Sequence, residues 1–171
     1  MPDRRNVLYI RCCDGRSRNF SELEGCLIHE IRLPGGVLFP DLCAHSLARG
    51  EQTFEMKIPI GNPMRQRIVQ MMNRMDETTA LTIGQLVLTF AVDAVMGLKS
   101  PTQIYLASHN HCGAANLIGF NEADTHRKLV EYKVLLQQSY PDVEVKILSE
   151  RHSECGEHHM GHKDITVRVA A

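Results

Sequence analysis

The chain has 171 residues, of which 43% are hydrophobic and 23% charged, a balance that suits one globular domain and excludes a disordered or fibrous chain. Lys and Arg number 19 against 20 Asp and Glu, for a formal net charge of -1. The basic excess that drives phosphate-backbone binding is missing, so nucleic acid is not an expected partner.

Val7 to Ile10 is a short apolar run rich in β-formers, as expected of a buried parallel strand. Behind Arg4 and Arg5 it is too brief for a secretory signal. Cys12 to Arg18 should form its exit loop. Leu27 to Leu33 alternates apolar and polar residues until Pro34-Gly35-Gly36 breaks it, which predicts a second strand and a turn. Phe39 to Arg49 and Pro63 to Met75 carry helix-compatible patterns, the latter with proline in its first turn.

Ile83 to Met96 has the clearest helical periodicity, with Ile83, Leu86, Val87, Phe90, Ala91, Ala94 and Val95 on one face. Thr82 and Gln85 suggest a capping box, and Gly97 a stop. Leu86 to Val92, read as its longest uncharged apolar stretch, falls short of the ~20 residues of a bilayer span, so no membrane contact is expected. Gln103 to Ser108 reads as a strand, Asn121 to Ser139 as a helix, and Val143 to Leu148 and Ile165 to Val169 as closing strands. Strands alternating with helices predict a single α/β domain over 1–171, built on a mainly parallel central sheet flanked by helices. No linker or repeat divides it.

Without an export signal the chain is expected to be cytoplasmic, with its six cysteines reduced and free to act as ligands, nucleophiles or core residues. Cys12, Asp14 and Arg16 occupy alternate positions, so an extended segment would turn a thiolate, a carboxylate and a guanidinium the same way. His109 and Cys112 stand three positions apart beyond another strand, a spacing at which one turn can aim imidazole and thiolate at one ion. Cys12, His109 and Cys112 together form a Cys2His set that leaves one tetrahedral position open. Should the two strands be neighbours with their following helices on opposite faces, both loops would open at a topological switch point.

Cys12-x-Asp14-x-Arg16 after one strand and His109-x-x-Cys112-Gly113 after another resemble the pattern of the β-class carbonic anhydrases, as does the helix, strand and motif succession from Leu86 through Gly113. The resemblance covers most of the chain and is weakest over 37–80, a divergent helical segment. It implies a β-carbonic-anhydrase-like fold with one Zn2+ per chain held by Cys12, His109 and Cys112. It also implies that Asp14 orients a zinc-activated water while Arg16 holds Asp14 ionised, in the reversible hydration of carbon dioxide to bicarbonate. In some members the aspartate itself takes the fourth zinc position. The family builds its pocket partly across a subunit interface, which implies a homodimer or higher oligomer. The chain departs from the pattern at Ser108, where glycine is usual, and in its longer interval between Cys12 and His109.

The same scaffold supports hydrolysis of carbon disulfide or carbonyl sulfide, and a non-catalytic zinc-binding interaction module is a further alternative. Cys12 and Arg18 also have the Cys-x5-Arg spacing of cysteine-dependent phosphatases, but Asp14 would place a carboxylate inside the phosphate cradle. His152, Cys155, His158, His159 and His162 could form a second metal cluster or a solvated loop. His111 could shuttle protons or simply be hydrogen-bonded in its loop. Cys13, Cys26 and Cys43 read as packing residues, and Met71, Met72 and Met75 as an apolar helix face.

Overall fold

The computed structural model describes residues 4–13, 23–48, 63, 67, 74–109, 112–152 and 165–170. Five strands form one sheet in the order β2-β1-β3-β4-β5: β1 (Asn6–Cys12), β2 (Leu27–Leu33), β3 (Gln103–His109), β4 (Glu144–His152) and β5 (Ile165–Ala170). The first four are parallel, and β5 runs antiparallel to β4. The mainly parallel α/β sheet expected from the sequence is therefore present.

β1 lies inside the sheet, between β2 and β3, and has apolar side chains for both faces. Leu8 and Ile10 join Ile104, Leu106, Val145 and Ile147 on one face, where Leu88, Val92, Leu129 and Leu136 of two helices cover them. Val7 and Tyr9 join Tyr105, Ala107 and Leu148 on the other, with Leu23, Cys26 and Ile28. Such two-sided burial is why the strand reads as a continuous run rather than an alternating one. β2, at the edge of the sheet, alternates instead and carries Glu30 and Arg32.

After β2 the chain turns through Pro34-Gly35 into a 3₁₀ turn (Gly36–Leu38) and helix α1 (Phe39–Ala48). The predicted helix from Pro63 to Met75 lies outside the described residues except at 63, 67, 74 and 75. Helix α2 spans Glu77–Lys99, starting six residues before the sequence reading placed it. Asp76 is its N-cap and accepts a hydrogen bond from the Thr79 amide at 2.7 Å, so the carboxylate satisfies an end amide. Thr82 is no cap: its hydroxyl donates to the Thr78 carbonyl inside the helix. Nor does Gly97 end α2, which continues to Lys99, where Ser100 adopts a left-handed conformation before Pro101.

The buried face of α2 also differs from the predicted one. Ala80, Gly84, Leu88 and Val92 face inward, while Ile83, Leu86, Val87 and Phe90 are exposed. At Gly84 α1 approaches so closely that no larger side chain fits between the helices. A Cβ on Gly84 would sit 2.6 Å from Pro40 Cα. Gly84→Ala is therefore expected to lower stability by about 1–3 kcal/mol through overpacking. Gly97→Ala, in the same helix with no atom within 4 Å of its Cβ, should raise it by about 0.5–1 kcal/mol. Thermal denaturation of the two variants checks this, and equal midpoints would contradict the packing.

A five-residue helix α3 (Gly113–Leu117) follows β3, and α4 (Glu122–Ser139) precedes β4. α4 begins with a reciprocal capping box, in which Asn121 and Asp124 each accept from the other's backbone amide. Its far end is tied to α2 by a hydrogen bond from the Tyr140 hydroxyl to Asp93.

Candidate metal centre

The neighbouring parallel strands β1 and β3 bring two sequence-distant candidate ligands, Cys12 and His109, to one end of the sheet. Cys12 is the last residue of β1 rather than part of a loop beyond it, and His109 likewise ends β3. From β1 the chain leaves toward β2 on one side, and from β3 toward β4 on the other, so the crevice between them is a topological switch point. Helices α2 and α4, before and after β3, both pack on the Leu8–Ile10 face because their crossovers progress in one direction across the sheet, and residues 14–22 of the connection that follows β1 lie outside the described residues.

Past His109 the chain returns Cys112 in extended conformation as the N-cap of α3. The ligand atoms of Cys12, His109 and Cys112 all lie within 4.8 Å of one another, and all three residues are buried. The two Sγ atoms are 3.9 Å apart. Two sulfurs at Zn–S distances of about 2.3 Å with a tetrahedral angle stand about 3.8 Å apart, so the thiols are spaced for one metal ion rather than for a disulfide. This group can hold a metal.

Backbone amides support both sulfurs. Gly35 donates to Cys12 Sγ at 3.2 Å, and the amides of Ala114 and Ala115 point at Cys112 Sγ. Gly35 and Gly36 have φ of 74° and 61°, and a Cβ on Gly36 would press to 3.1 Å from the Arg11 carbonyl carbon and 3.2 Å from the Cys12 nitrogen. Glycine is thus required for the turn after β2 to lie against the end of β1. The Cys112 thiol is pushed far up by its hydrogen bond with Cys12 and by burial, with the two amides opposing. One thiol holds its proton while no cation is bound, and a metal would displace it.

Arg11, one residue before Cys12 and 4% exposed, turns to the other face of the sheet, where it pairs with Glu30 at 3.0 Å and stands 5.2 Å over the Tyr9 ring. Burial alone would raise the Glu30 carboxyl; Arg32 and Arg11 outweigh it and hold the group below its ordinary range. Neither Arg11 nor the Gly35 amide was singled out from sequence. The signals were an arginine inside an apolar strand and two glycines after a proline.

Leu38 and Ala115 are buried with Cys12 and Cys112, and Ala114, Ile118 and Phe120 pack around them. Asp14, Arg16, Arg18, His111, Cys155, His158, His159 and His162 lie outside the described residues, so the proposed dyad, the phosphatase-like spacing and the second cluster do too. Cys13, expected to pack, is exposed, because it follows Cys12 and so turns the opposite way past the end of β1. Cys26 and Cys43 are partly buried. No family model, curated protein or solved structure matches this chain.

Proposed function

We propose that this chain is a zinc enzyme that interconverts carbon dioxide and bicarbonate, on a fold of the β-carbonic-anhydrase kind. The observation that carries the reading is the convergence of buried Cys12, His109 and Cys112 at the switch point. Two thiolates and an imidazole favour zinc over hard, oxygen-seeking cations, and three protein ligands leave a fourth position open. When bound, zinc supplies Lewis acidity that lowers the pKa of a water to about 7.

The chain's own residues do the rest. Cys12 and His109 are set by strand ends and Cys112 by a helix start, so the ligands sit on rigid elements. On this reading Asp14 would accept a hydrogen bond from the water and orient it, while Arg16 would keep Asp14 charged. Leu38, Ala115, Ile118 and Phe120, packed around the two cysteines, give the group an apolar surrounding, which agrees with a small substrate with little need of hydrogen bonds.

Stopped-flow hydration with fully zinc-loaded protein tests the proposal between pH 6.5 and 9. Turnover should rise with pH, because the deprotonated water is the reactive form. Inertness toward carbon dioxide with turnover of carbonyl sulfide or carbon disulfide would replace the substrate. Inertness toward all three would leave a zinc-bearing interaction module.

A further inference from the structure

Helix α2 carries two apolar stripes, and within the described residues only one of them is covered. Ala80, Gly84, Leu88 and Val92 are buried, whereas Leu86, Phe90 and Leu98 are 53%, 74% and 79% exposed, with Ile83 and Val87 also in the open. Ile83, Val87, Phe90, Ala94 and Gly97 succeed one another at alternating steps of four and three residues, the spacing of a helix–helix seam. No charged side chain lies between Glu77 and Asp93. By length and composition this is a helix that could cross a membrane. Its other stripe is packed in the domain core, however, and it could not enter a bilayer without leaving α1 and the sheet.

We infer that the exposed stripe of α2 pairs antiparallel with the same stripe of a second copy of this chain, about a twofold axis near Leu88 and Thr89. A twofold contact demands a self-complementary surface, and the stripe has one. In the antiparallel register Val87 faces Phe90 of the second copy and Ile83 faces its Ala94, so a bulky residue meets a different size at each layer. The same register brings Glu77 beside Lys99 of the second copy at both ends. Among the described residues neither Glu77 nor Lys99 is in an ion pair. Parallel pairing would instead set like charge against like. Opposed helix dipoles favour the antiparallel arrangement further. A bilayer would offer no such complement to the two ends.

The inference is independent of the metal reading, and its test separates the two. Sedimentation of the full, zinc-replete chain at low ionic strength should give a mass of at least a dimer, which Phe90→Glu should halve while far-UV circular dichroism and zinc content stay unchanged. Lys99→Glu should weaken association roughly 2- to 30-fold, since each dimer has two such exposed contacts. Glu77→Lys combined with Lys99→Glu should restore it. Within one helix these positions are about 33 Å apart, so rescue can only act between copies. A monomeric parent, an assembly indifferent to Phe90→Glu, or a charge swap without rescue would overturn the inference. So would a monomer that binds anionic or neutral phospholipid vesicles through Phe90, which would assign the stripe to a lipid surface.

Discussion

Cys112→Ser is expected to weaken zinc retention by more than about 100-fold, because even residues that merely hydrogen-bond to ligands are typically worth 10- to 100-fold and Cys112 would be a direct thiolate ligand. The fold should survive. Cys112 sits at the start of a five-residue helix rather than within a strand, and in the metal-free protein its thiol is held protonated by its hydrogen bond with Cys12 and by burial. Serine keeps the shape of the side chain and an acceptor for the Ala114 and Ala115 amides. Chelator competition gives the affinity, and circular dichroism verifies the fold. Undiminished zinc in the variant would remove Cys112 from the ligand set.

Asp14→Asn and Arg16→Ala should fail in different ways. The asparagine variant keeps all three ligands and should hold zinc as well as the parent, but the water loses its oriented acceptor. Hydration should fall by ~10²- to 10⁴-fold, the usual range for such a group. If Arg16 restrains Asp14 as proposed, Arg16→Ala would free that carboxylate to take the fourth position and close the site with four protein ligands. This variant should be inactive yet bind zinc at least as tightly. Parallel rate and affinity measurements separate the cases. Parent-like hydration by Asp14→Asn, with activity lost in Arg18→Ala, would discard the dyad in favour of a loop organised around Arg18.

Local signals carried much of this architecture. β2 occupies the Leu27–Leu33 span its alternation indicates, because an edge strand buried on one face writes period two into its residues. The ligand trio was legible because two apolar runs each stopped at a thiol or imidazole. Adjacency of those runs was not legible, since strand order depends on pairings nearly a hundred residues apart. The long helix shows a different limit. Its strongest periodicity marks the exposed stripe, whereas the core-facing stripe includes Gly84, where Pro40 approaches closely. A helix apolar on two sides cannot announce which side the domain takes. Its N-cap was also missed, because polar Asp76 and Glu77 precede the apolar pattern by more than a turn. Gly35 was read only as a turn-former; its amide's contact with Cys12 arises from the meeting of β1 and β2, which no local pattern records.

Zinc K-edge X-ray absorption on the full, zinc-replete chain tests the central claim most directly. Two sulfurs at about 2.3 Å and two nitrogen or oxygen scatterers at about 2.0 Å would match Cys12, Cys112 and His109 with one further ligand. A shell with no sulfur, with four sulfurs, or with unchanged sulfur content in Cys112→Ser would contradict it.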